Sequence, residues 1–128
     1  MSSHLKTLLG AFAGASLLLL SACGGGEDTK TTCPTGGTTL TYQNFGQTFM
    51  STYCTRCHNS ALTGSARKDA PSDVNFNTIE GIKTESKEID KWAGASATVT
   101  NDSMPPEGEK PSVEDRRKLS EWLACGAP

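Results

Sequence analysis

The sequence predicts an all-α fold, a small helical domain over residues 42–128 wrapped around a group that its own side chains do not supply. Three observations lead there. Apolar residues recur at three- and four-residue intervals near both ends of this span, as Tyr42, Phe45, Phe49 and Tyr53 and again as Leu119, Trp122 and Leu123, which stacks each set on one face of a helix. No βαβ pattern follows the first of these segments, and no internal repeat or second periodic unit marks a second domain. A core this small needs a staple to be stable, and the cysteine pattern supplies one.

The chain opens on an export signal over residues 1–22. Lys6 lies in a basic n-region, Leu8 to Leu20 is an apolar run, and Ser21-Ala22 is a small-residue end. The run has 13 residues, fewer than the roughly 20 that a spanning helix needs. It ends in Leu20-Ser21-Ala22-Cys23, which resembles a bacterial lipobox, so Cys23 is expected to be the first mature residue and to carry acyl chains. A plain secretory signal with a coincidental Cys23 is the alternative. Gly24 is not the Asp that resembles an inner-membrane retention signal, which tilts the expectation towards an outer membrane. The protein is then lipid-anchored to a bacterial membrane, facing the periplasm or the cell exterior.

Residues 23–41 are polar, Gly- and Thr-rich and nearly free of apolar side chains. Such a stretch is expected to be a flexible tether.

The domain elements follow in order. The first helix is expected from Tyr42 into Cys54, with Gln43, Gln47 and Ser51 on its outer face. From Thr63 to Asn77 the chain is rich in Gly, Ser, Pro, Asp and Asn, which predicts loop with at most one helical turn. Ile79, Ile82, Ile89 and Trp92 suggest one or two short helices, weakened by Gly81 and Gly94. Pro111-Ser112-Val113-Glu114 opens the last helix. Ser112 is its expected N-cap, Asp115 stands in a capping-box-like place, and Val113, Leu119, Trp122 and Leu123 form its apolar face.

The chemistry lies in Cys54-Thr55-Arg56-Cys57-His58. CxxCH is the attachment signature of a c-type haem. The two thiols, one helical turn apart, suit thioether bonds to the two vinyl groups of a porphyrin, and His58 then lies under the iron as a strong ligand. The second axial ligand follows by elimination. His4 leaves with the signal, so His58 is the only mature histidine. Met1 is lost, and Met50 lies on the helix leading into the motif, where it cannot easily reach the opposite porphyrin face. Met104 remains, with Pro105-Pro106 holding its loop extended. An exposed loop methionine is the alternative reading.

Cysteine arithmetic completes the assignment. With Cys23 assigned to lipid and Cys54 and Cys57 to haem, Cys33 and Cys125 remain, and in an oxidising compartment a disulfide between them is expected. Unpaired thiols or intermolecular bridges are the alternatives. Loss of the signal removes Lys6 and no acid, leaving 11 basic against 14 acidic residues, a net of -3, which excludes a nucleic-acid binder driven by bulk charge. The run Arg116-Arg117-Lys118 is expected to be a solvated helix face.

On these residues the chain resembles the class I c-type cytochromes, small monohaem proteins of the cytochrome c fold, over roughly residues 42–125. Gly46, eight before Cys54, is similar to the small residue where the family's terminal helices cross. Trp122-Leu123 resembles the aromatic-aliphatic pair of the last helix, and Met104-Pro105-Pro106 the distal-ligand loop. Met50 replaces the usual aromatic four before Cys54. Pro71 is placed as the proline whose carbonyl accepts the His58 ring N–H, although the surrounding Gly-Pro motif of many members is missing.

With His58 and Met104 on both axial positions, the expected role is one-electron transfer by a membrane-tethered carrier, a monomer that visits redox protein partners and does not act on substrate. A labile Met104 would turn it towards ligand sensing or weak peroxidase activity. Two other classes stay open: a thioredoxin-like thiol-disulfide oxidoreductase using the CxxC, and a structural zinc-binding module drawing on Cys33, Cys54, Cys57 and Cys125 or His58.

Overall fold

The computed structural model of the chain describes residues 26–128; the expected signal peptide and Cys23, the expected lipid carrier, lie outside them. Four α-helices follow in order: α1 (Gln47–Tyr53), α2 (Ile79–Thr84), α3 (Ser86–Ala93) and α4 (Val113–Ala124). A π-helical turn, Tyr42–Gly46, leads into α1, and a 3-10 turn, Gly64–Arg67, lies in the long connection to α2. The β pairing among the described residues is one isolated antiparallel bridge, Ala95 to Thr100. The fold class is all-α.

The π-turn begins at a reciprocal cap. Thr41 Oγ1 accepts from the Asn44 N–H and Asn44 Oδ1 accepts from the Thr41 N–H, at 3.2 and 2.7 Å, so two otherwise orphaned donors are satisfied. From there the aromatic stripe runs inward. Phe45, Phe49 and Tyr53 stack in series with centroids 5.5 and 5.0 Å apart, while Gln43, Gln47 and Ser51 are exposed. The stripe meets α4 at Gly46. A Cβ there would sit 2.4 Å from a Trp122 ring carbon, closer than any real contact, so the crossing requires glycine. Trp122 is fully buried beneath it and donates its indole N–H to the Pro128 carbonyl.

Around this crossing Phe49, Met50, Phe76, Ile82, Ile89, Leu119 and Leu123 complete the core. Each such side chain contributes roughly 1.5–3 kcal/mol when buried. The helices α2 and α3 bring Ile82 and Ile89 to it across a break at Glu85.

The last helix differs from its expectation at three places. Ser112 Oγ accepts from the Asp115 N–H as an N-cap does, but the Asp115 carboxylate takes the Ser112 hydroxyl and not the backbone N–H. Val113, expected on the apolar face, is 44% exposed, because the first turn projects beyond the core. Arg116, expected in solvent, is 2% exposed; its neighbours Arg117 and Lys118 do face solvent, the first exposed and the second half-buried.

Within the stretch expected to be a free tether, the described residues 27–38 are docked on the domain. Glu27 and Asn101 exchange two hydrogen bonds of 2.9 and 2.7 Å, Thr29 is buried and donates to Asp90 Oδ2 at 2.7 Å, and Thr38 donates to Glu121 Oε1 at 2.6 Å. Cys33 is disulfide-bonded to Cys125 across 92 residues, a closure that stabilises by about 4 kcal/mol in the chain-entropy account. Polar side-chain bonds and one covalent link thus hold a strap that has almost no apolar surface to bury.

Candidate cofactor site

The core helix α1 ends where the chemistry begins. Cys54 caps α1 through its N–H to the Met50 carbonyl, and the N–H groups of Cys57 and His58 both return to the Cys54 carbonyl at 3.1 and 3.0 Å. This tight turn places Cys54, Cys57 and His58 on the wall of one cavity of about 490 Å³, a volume suited to a cofactor. The rest of the lining is mainly apolar: Phe49, Val74, Phe76, Ile89 and Trp92, with Met104, Pro105 and Pro106 from the loop before α4. The charged groups at it are Lys68, Asp69, Glu85 and Glu88.

His58 is held through three contacts. Its Nδ1 lies 3.2 Å from the Val74 carbonyl, which assigns the ring proton to Nδ1 and leaves Nε2 as the nitrogen with a free lone pair. Its own carbonyl accepts from the Phe76 N–H at 2.9 Å, and its ring stacks on Phe76 at 4.7 Å. Desolvation by burial lowers its pKa, with Arg67 acting in the same direction and the Val74 bond against them, so the imidazole is neutral at pH 7. The acceptor is not Pro71, as the sequence suggested. The Pro71 carbonyl points to Arg67, from which it takes a hydrogen bond.

Both CxxC thiols are free. Burial pushes the Cys54 thiol up to about 12, outweighing the opposing pull of Arg56 and Arg116. Cys33 and Cys125 are bonded to each other, and no group of three or more metal-ligating side chains occurs among the described residues. Of the residues drawn on for a zinc site, Cys33 and Cys125 have their sulfurs in the disulfide, and Cys54, Cys57 and His58 keep free donor atoms.

The two methionines separate cleanly. Met50 is 2% exposed within the core and does not line the cavity. Met104 lines it and is 36% exposed. Its N–H donates to the Trp92 carbonyl at 3.0 Å, and its carbonyl accepts from Arg116 Nη1 at 2.9 Å.

Sequence reasoning missed two cations. Arg67 is 5% exposed and bonds to the loop around His58, whereas Arg116 bonds to the Ala93, Asn101 and Met104 carbonyls. For Arg116 a signal existed: with Leu119, Ser120 and Leu123 it repeats at i, i+3, i+4 and i+7, the buried face of α4. For Arg67 there was none, since its acceptors are almost all backbone.

Two free thiols, a neutral imidazole with an available nitrogen and a thioether on one mainly apolar wall are a donor set that fits a covalently attached haem. No family model, curated protein or solved structure matches this chain, so the functional reading rests on the cavity and its residues.

Proposed function

We propose that the protein is a one-electron carrier of the c-type cytochrome kind, exported and held at a bacterial membrane through Cys23. The observation that carries this reading is that Cys54, Cys57, His58 and Met104 line one mainly apolar cavity although Met104 lies 46 positions after His58. Cys54 and Cys57 would hold haem c by thioether bonds, with His58 Nε2 and Met104 Sδ as the iron ligands. Bound there, a haem supplies reversible one-electron chemistry, and a thioether ligand favours the ferrous state.

The chain's own residues do the remaining work. The Val74 carbonyl orients the imidazole, and Arg116 fixes the backbone of Met104. Phe49, Phe76, Ile89 and Trp92 give the site its apolar lining. Were His58 and Met104 both to hold the iron, no position on it would be left for a substrate. A thioredoxin-like reaction asks for the reverse of what Cys54 offers: its first thiol needs a depressed pKa, and here burial raises it to about 12.

The docked strap changes how a lipid anchor would work. Residues 27–38 lie along the domain, so the chain from Cys23 to Glu27 alone would separate it from the acyl chains, a reach on the order of 14 Å. The carrier would operate at the membrane surface and meet partners embedded in it or brought to it.

The test is a pyridine haemochrome spectrum of the purified, denatured protein after acid-acetone extraction. A haem c spectrum that survives extraction, and is lost in Cys54→Ser plus Cys57→Ser, is expected. A folded protein purified from a haem-loading host without haem overturns the reading.

A further inference from the structure

Arg67 ends the 3-10 turn Gly64–Arg67 and folds inward with every N–H engaged. Nε donates to the Ala70 carbonyl at 3.1 Å, and Nη1 donates to the Asn59 carbonyl at 2.7 Å and to Asn75 Oδ1 at 3.0 Å. Nη2 donates to the carbonyls of Pro71 and Val74, the latter at 3.0 Å. A guanidinium has five N–H donors, so this one is fully satisfied. All five acceptors are neutral, and Arg67 forms no ion pair among the described residues. A buried cation is tolerated when hydrogen-bonded in this way, but its charge is not cancelled and is weakly screened by solvent.

The second feature is a shared acceptor. The Val74 carbonyl that takes Arg67 Nη2 at 3.0 Å also faces His58 Nδ1 at 3.2 Å. A charged donor at the shorter distance claims more of the oxygen's electron density. The His58 N–H is therefore polarised less than it would be by an unshared carbonyl. Because the bond made by Nδ1 sets the basicity of the other ring nitrogen, Arg67 reaches Nε2 without touching it.

We propose that Arg67 is a positioning residue that raises the reduction potential of the group held by His58, through the shared Val74 carbonyl and through its own uncompensated charge. The inference rests on the haem reading above. Both effects have one sign: a less basic imidazole and a nearby positive charge each disfavour the ferric state over the ferrous.

The experiment uses the full-length, haem-loaded protein, with loading checked by haemochrome in every variant. Redox titration compares the parent with Arg67→Lys and Arg67→Met, and proton NMR of the ferrous form follows the His58 Nδ1 proton. Arg67→Met is expected to shift the ferric-to-ferrous ratio at fixed ambient potential about tenfold towards ferric, which for one electron is about 59 mV. Arg67→Lys keeps the charge and loses the fork, so its potential falls between the two. In both variants the Nδ1 proton moves downfield as the Val74 bond strengthens.

A loosened loop that merely admits water would also lower the potential, but the Nδ1 proton would then move upfield and exchange faster. That result overturns the proposal, as does a potential unchanged in both variants. If Arg67→Met does not fold, Arg67→Lys with the same two measurements decides. A parent without haem sinks the functional reading and this inference with it; a loaded parent whose variants do not respond sinks only this one.

Discussion

Two buried arginines brace the cavity, and they are held in different ways. Arg67 bonds to residues between Asn59 and Asn75, none more than eight positions away, and all its donors are used. Arg116 reaches from α4 to carbonyls 12 to 23 positions away, through Nη1 alone, while Nη2 is buried without a partner. The wall that carries His58 is thus a local unit closed at small entropic cost. The wall that carries Met104 is held to α3 and α4 through contacts distant in sequence, Trp92 to its N–H and Arg116 to its carbonyl. Segments held by fewer and more distant contacts open first, so the Met104 side is expected to yield before the His58 side.

The sharpest way to break that comparison is to remove Met104, the proposed distal ligand. Met104→Ala should abolish the long-wavelength charge-transfer band that a thioether gives on ferric iron, lower the potential, and let cyanide or carbon monoxide bind where the parent resists. Optical titration with each ligand reads this directly. A variant that keeps the band and still excludes cyanide means that Met104 is not the ligand, and the contrast between the walls loses its functional meaning.

Arg116→Met should act next most strongly. It leaves the Ala93, Asn101 and Met104 carbonyls without their donor, and an unsatisfied buried acceptor costs on the order of 1–3 kcal/mol. Urea should therefore unfold the variant at a lower midpoint. The Met104 band should disappear at a lower urea concentration than the helical circular dichroism. Coincident transitions would mean that the two walls open together.

What the sequence made legible follows the same division. Periodicity placed the aromatic stripe along the π-turn and α1, and cysteine counting paired Cys33 with Cys125, because each of these is a property of side-chain type and spacing; Gly46 was marked as a helix crossing by the family resemblance, and Trp122 is what it meets. The cavity-lining places of Cys54, Cys57, His58 and Met104 were also readable, since a motif and an elimination named them. Bonds to backbone were not. Neither the Val74 carbonyl that replaces Pro71 at His58 nor the strap from Glu27 to Thr38 leaves any trace in composition: the strap buries Thr29 and little else. Arg116 was legible only to a reader willing to put a charge on the apolar stripe of α4.

Met50→Leu gives the matched control for Met104→Ala. Met50 is 2% exposed in the core and makes no part of the cavity wall, and a volume-conserving apolar swap costs under about 1.5 kcal/mol. A slightly lower urea midpoint with an unchanged visible spectrum is expected. Loss of the band here, with retention in Met104→Ala, would exchange the roles of the two methionines and require the chain to run differently around the cavity.

The smallest effect is expected where the two walls meet in solvent. Lys68, next to Arg67, pairs with Glu107, three residues beyond Met104, with side chains 54% and 57% exposed. The hydrogen bond and charge of Lys68 hold the Glu107 carboxyl below its usual 4.5, and Glu107 raises Lys68 above its usual 10.5. The carboxylate is more acidic folded than unfolded, so its contribution is present above pH 4.5 and is lost as pH falls through the depressed value. The ammonium's contribution is present below pH 10.5 and is lost as pH rises through the raised value. Salt weakens such an exposed pair, strongly so at 1 M, where the Debye length is about 3 Å. Glu107→Gln should therefore lower the urea midpoint slightly at pH 7 and low salt, by less at 1 M salt, and leave it unchanged once Glu107 is protonated. The Met104 band should not respond, because Arg56 Nη2 still binds the carbonyls of residues 107 and 109 at 2.6 and 3.2 Å and Arg116 still holds residue 104. A band that weakens in Glu107→Gln at low salt and recovers at 1 M would place control of the distal wall at the cavity mouth instead of at α4, and the two arginines would no longer be the terms of the comparison.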